Sequence, residues 1–207
     1  MAVLAGAAGL LERAVGYGLE CVEMVATALL PRPTPCAEWD LYSLLLHVND
    51  SIGALQEGID AGCISLLPPE DVEASQEQAV REAGGDPAAA LVAVFRCRTE
   101  RLLSSWDAAQ HDGHHIAVEG LPLAAELVAI TGSIEIAVHG WDIAAACGGS
   151  RPIPARLAAD MLVLSQLVVG DGPQRHPLFA APVAVSRGAD PSERLLAFLG
   201  RSPIAVI

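Results

Sequence analysis

The stretch Ala129–Gly148, AITGSIEIAVHGWDIAAACG, decides how the rest of the chain is read. It is apolar on nearly every side, the pattern of a helix enclosed by other helices. Yet Thr131, Glu135, His139 and Asp142 recur along it at intervals of four, four and three residues. At about 3.6 residues per turn these side chains share one narrow stripe. Glu135 and His139 stand one turn apart, so a carboxylate and an imidazole can reach the same point and offer two ligands to one divalent metal. The third ligand must come from another helix, and His47 is the obvious donor. The same spacing also describes a solvent face carrying an exposed Glu/His pair, so the stripe alone leaves both readings open.

Working outward, Asp40 is a good N-cap for a helix running to about Ile59, with Leu44, Val48, Ile52, Leu55 and Ile59 as its core stripe and His47 on the flank. A longer amphipathic helix, from about Ala5 to Leu30, precedes it and is stopped by Pro31, Pro33 and Pro35. Trp39 is a large anchor at the start of the second helix. Between Asp60 and Asp86 the composition predicts a loop with one short exposed helix. Asp86 and Pro87 open a third helix that continues to about Trp106. The polar run His111, Asp112, Gly113, His114, His115 reads as a solvated turn rather than a second metal cluster, and it leads into a fourth helix starting near Pro122. Beyond Gly148 and Gly149, a fifth helix reaches about Val168, and Asp190-Pro191-Ser192-Glu193 opens a short last one closed by Gly200. The expected fold is all-α: a four-helix bundle over residues 1–149, with residues 150–207 packed on it as an extension too short for a core of its own.

Composition narrows the function. Of 207 residues 52% are hydrophobic and 18% charged, enough apolar material for one sizeable buried core. The net charge is −13 and every basic side chain is Arg, which repels phosphate backbones, and 4% aromatic content offers few stacking platforms. Nucleic acid is therefore a poor candidate partner. No uninterrupted apolar run approaches the roughly 20 residues of a membrane span, and Met1–Leu11 lacks a basic region before it, so the expectation is a cytoplasmic protein without a membrane partner, a monomer or homodimer acting on small molecules. Cys21, Cys36, Cys63, Cys97 and Cys147 are scattered without a CxxC pair and read as reduced thiols. Cys36 and Cys147 lie near the polar stripe in sequence.

Three segments, TPCAEWDLYSLLLH (Thr34–His47), EIAVHGWDIAAACG (Glu135–Gly148) and RLLAFLGRSP (Arg194–Pro203), together resemble the actinobacterial metal-binding proteins related to mycothiol-dependent maleylpyruvate isomerase, within the DinB/YfiT-like superfamily. The similarity runs from the first helix to the tail. Its most specific piece is the ExxxHxWD helix paired with an upstream W-x(7)-H. The resemblance implies a bundle of DinB/YfiT type in which His47, Glu135 and His139 hold one zinc or another divalent metal and leave a coordination position open. It also implies mycothiol as cosubstrate in an isomerase or S-transferase acting on a small electrophilic metabolite. In that reading Asp142 orients His139, and Arg201 or Arg194 anchors an acidic substrate. The chain departs from the isomerase in having only the stretch after about Ser150 where the latter has a larger C-terminal domain, so the resemblance does not deliver a substrate. A non-catalytic metal- or ligand-binding bundle and an enzyme using metal-bound water remain the alternatives.

Overall fold

The computed structural model of the protein describes residues 4–36, 39–64, 85–109, 114–169, 175 and 179–202. Along the chain come α1 (Leu4–Val22), a 3-10 turn (Thr27–Leu29), α2 (Leu41–Ala61), β1 (Cys63–Ile64), α3 (Pro87–Ala108), β2 (His115–Val118), β3 (Leu121–Ala124), α4 (Ala125–Ala146), α5 (Ala155–Val168) and α6 (Pro191–Phe198). The four long helices close a ring in which α1 packs on α4, α4 on α2, α2 on α3 and α3 on α1. Leu10, Leu11, Leu44, Ile52, Leu91, Phe95, Ile136 and Ile143 fill its interior. Helices α5 and α6 pack on each other, and α5 also touches α1 and α4.

The helix starts follow from local chemistry. Asp40 accepts a hydrogen bond from the Ser43 amide at 2.8 Å, and Asp86 accepts one from Ala88 at 3.0 Å with Pro87 just inside the helix. Asp190 and Glu193 form a reciprocal capping box at 2.9 Å each way. Helix α4 starts after Ala124 without a side-chain cap, as α5 does after Pro154. Burial holds it instead. It is long and apolar enough to cross a membrane by composition, but 78% of its apolar window is buried inside this protein, so its hydrophobicity is spent on neighbouring helices.

The fold is mostly helical rather than purely all-α. Strands β1, β2 and β3 form a small sheet in that order, β1 parallel to β2 and β2 antiparallel to β3. Its cause is a two-residue turn, Glu119 at φ 48 and Gly120 at φ 78, both left-handed as a tight hairpin requires. Pro122 accordingly sits on the edge strand β3 opposite Ala117, and α4 starts at Ala125 rather than near Pro122. The first helix ends at Val22 rather than Leu30. Ala26 is extended there, and the Thr27 hydroxyl turns toward the Asp86 carboxylate at the start of α3. The short helix expected between Asp60 and Asp86 falls largely outside the described residues, as does His111.

Candidate metal centre

Helical periodicity brings Glu135 and His139 onto one face of α4, with His139 Nε2 at 3.2 Å from Glu135 Oε1. Helix α2, packed alongside, delivers His47 Nε2 to the same oxygen at 2.8 Å. One ligand atom from each of the three lies within 4.8 Å of the other two. The side chains grade from the interior outward: His139 is 7% exposed, Glu135 31% and His47 36%. The cluster is thus closed at its base and open at its rim.

Asp142, one turn further along α4 and fully buried, places Oδ2 at 3.0 Å from His139 Nδ1. Both ring nitrogens of His139 therefore face carboxylates, and both can donate only in the imidazolium form. Burial opposes that charge, but Glu135 and Asp142 outweigh it and raise the His139 pKa to about 9. Burial likewise works against the Glu135 carboxylate, but the charges and hydrogen bonds of His139 and His47 hold its pKa well below the usual range. Arg201 reaches in from the turn after α6 and donates to Asp142 Oδ2 at 3.1 Å and to the Leu199 carbonyl at 3.2 Å, with 11% of its side chain exposed. Arg194 is elsewhere, donating to the Arg187 carbonyl at 2.9 Å.

Two further residues come from the loop before α2. The Trp39 ring lies 4.4 Å from that of His47 and 6.3 Å from that of His139. Cys36 Sγ forms a second cluster with His139 and Asp142, again within 4.8 Å. Burial raises the Cys36 pKa and the nearby Arg201 moderates the rise. Sequence reading placed Trp39 as a packing anchor and set Cys36 only near the stripe. The signal for both was the Pro33–Trp39 segment, whose proximity to α4 is a property of the loop's path. Thr131, by contrast, is exposed and bonds back to the Leu127 carbonyl at 2.9 Å, and among the described residues His114 and His115 join neither cluster.

A ring of helices carrying two imidazoles that share a carboxylate, the inner one oriented by a second carboxylate, defines the class: a helical protein with a polar, ligand-capable centre that runs from its core to its surface. The chain belongs to the family of the mycothiol maleylpyruvate isomerase N-terminal domain, whose family model matches residues 11–144. An uncharacterized protein of Mycobacterium tuberculosis, found in strains CDC 1551 and H37Rv, is 26% identical over 187 residues, covering 82% of this chain and 84% of that relative. The crystal structure of a mycothiol-dependent maleylpyruvate isomerase superposes with a TM-score of 0.55 at 16% identity, over 77% of this chain and 67% of that one. A variant of the same isomerase with one histidine replaced by alanine gives the same figures. At that identity the likeness speaks for the fold.

Proposed function

We propose that the chain binds one divalent metal ion, zinc being best suited to two imidazoles and one carboxylate, and that it works with a mycothiol-type thiol as an isomerase or S-transferase on a small electrophilic metabolite. The observation that carries this reading is the convergence of His47 Nε2, His139 Nε2 and one Glu135 carboxylate oxygen within 4.8 Å of one another. The carboxylates of Glu135 and Asp142, one at each ring nitrogen of His139, favour positive charge at that point, which a metal would supply in place of the His139 Nε2 proton. His47 and His139 would hold the metal through Nε2 and Glu135 through its carboxylate. Asp142 occupies His139 Nδ1, which turns Nε2 toward the centre. Arg201, bonded to Asp142 and mostly buried, braces this pair rather than anchoring substrate. Bound there, zinc would supply the positive charge that favours the ionised form of a thiol. The partly exposed His47 and Glu135 leave the rim accessible to a small molecule. Membership of a mycothiol-isomerase family supports the choice of thiol.

Elemental analysis tests the metal: about one ion per chain, lost in His47→Ala and in His139→Ala. Full retention in both variants sinks the assignment. For the thiol, saturating mycothiol should raise the melting temperature of the metal-loaded protein, the mass-action term being about 2.7 kcal/mol at a hundred times the dissociation constant. The rise should be absent in His139→Ala. No shift in the loaded wild type would favour a metal-dependent enzyme or binding protein that uses no thiol.

A further inference from the structure

The two imidazoles of the centre are supported very differently. His139 has Nδ1 fixed at 3.0 Å by Asp142, which Arg201 holds in turn. His47 makes one hydrogen bond, from Nε2 to Glu135, and among the described residues its Nδ1 has no partner. A ligating histidine usually has its second nitrogen tied to a carboxylate, carbonyl or water, which sets the ring's orientation. What touches His47 on its remaining side is Trp39, with ring centroids 4.4 Å apart and planes inclined at 49°. We infer that Trp39 is a positioning residue for His47, orienting by ring contact the imidazole that no protein hydrogen bond orients at Nδ1; the inference rests on the metal reading above.

The loop backbone that carries the indole is tied down at both ends, with the Leu41 amide donating to the Arg32 carbonyl at 2.9 Å and the Tyr42 amide to Leu30 at 3.0 Å. The Thr34 amide donates to the Trp39 carbonyl at 3.1 Å, and the Trp39 amide donates to Cys36 at 3.2 Å. Thr34 Oγ1 lies 3.0 Å from the carbonyl oxygens of both Cys36 and Trp39. Pro33 and Asp40 form an isolated bridge that closes the loop at its neck. The Trp39 backbone is therefore held by the loop's own hydrogen bonds, whereas the His47 side chain is 36% exposed and, besides Glu135 and Trp39, meets the His139 ring edge-on at 5.3 Å. An aromatic face against an imidazole restricts its rotation without blocking Nε2. Preorganisation of that kind appears in ligand affinity rather than in the fold.

The test compares Trp39→Leu, which keeps apolar bulk, with Trp39→Phe, which keeps an aromatic face. Zinc affinity, measured by competition with a chromogenic chelator, should fall about tenfold in Trp39→Leu, the lower end of the loss seen for supporting partners of metal ligands, and Trp39→Phe should restore most of it. The loss should appear chiefly as faster zinc release, with the metal-free melting temperature alike in the two variants. Equal zinc affinity in Trp39→Leu and wild type overturns the inference and leaves the metal assignment standing. Should wild type take up no zinc, the metal assignment falls on its own, and the ring contact is judged in metal-free protein by the His47 ring-proton resonances. A shift between wild type and Trp39→Leu supports the contact, and identical resonances overturn it.

Discussion

His139 has a carboxylate at each ring nitrogen, Glu135 at Nε2 and Asp142 at Nδ1, and that arrangement bears on how the metal-free protein responds to pH. Its pKa is raised in the fold from 6.5 to about 9, so its contribution to stability is complete below about pH 6.5 and is lost as pH climbs through about 9. Glu135 runs the other way. Its pKa is lowered from 4.5, so its contribution is present above that value and fades in acid. Metal-free protein in chelator should therefore melt highest between pH 4.5 and 6.5 and lower at pH 9. In His139→Gln the decline between neutral pH and pH 9 should disappear, and an identical decline in that variant would refute the assignment. These residues were legible in the sequence because they share a helix: Glu135, His139 and Asp142 need only a 3.6-residue period to meet. Trp39 was legible only as part of the W-x(7)-H pattern, and its ring contact with His47 and the approach of Cys36 were not, because a proline-rich loop has no period from which its direction can be read.

Among the elements, α6 has the most consequence for its length. It spans eight residues, Pro191–Phe198, yet the turn that follows it delivers Arg201 to the buried Asp142. That turn depends on Gly200, whose φ of 83 is left-handed, and a Cβ there would lie 2.7 Å from the Ala180 Cβ and 2.9 Å from the Ala180 carbonyl. The Arg201 amide adds a bond to the Leu196 carbonyl at 2.8 Å. Arg175 stacks over Phe198, with its guanidinium 4.9 Å from the ring, and bonds the Phe198 and Ala180 carbonyls. Gly200→Ala should cost about 1–2 kcal/mol from backbone handedness alone, and more from the clash with Ala180. Because the strain falls next to Arg201, zinc retention should weaken together with the melting temperature. A variant that loses stability with unchanged zinc affinity would separate the turn from the centre. The helix itself was easy to read, since Asp190, Pro191 and Glu193 spell its start. Its link to α4 joins residues 59 positions apart, and no local pattern encodes that.

At the scale of the whole molecule, the helical order was readable because α1, α2 and α3 carry apolar stripes, α4 is apolar on nearly every side, and three of the described starts carry Asp. The hairpin was missed because Glu119-Gly120 is a weaker turn signal than Asn-Gly and stands directly before a run of helix formers. The division of the chain is the larger question. The family domain matches residues 11–144, yet structure beyond that point completes both core and centre. Ile153, Leu157, Ala158 and Met161 are buried, as are Leu195, Leu196 and Leu199. The Tyr17 hydroxyl of α1 donates to the Arg151 carbonyl at 2.6 Å, and the Ile153 amide donates to Ser192 Oγ at 3.0 Å. Removing this segment would uncover apolar faces of α1 and α4 and leave Asp142 buried without its arginine, a loss on the order of 3–5 kcal/mol for the ion pair alone. The full chain should therefore unfold in one transition, with loss of helix by circular dichroism and release of zinc coinciding. A chain cut after Gly149 should melt well below the full chain or fail to fold. An earlier melting step confined to the C-terminal segment, with the metal retained through it, would show instead that the extension is a separable appendage.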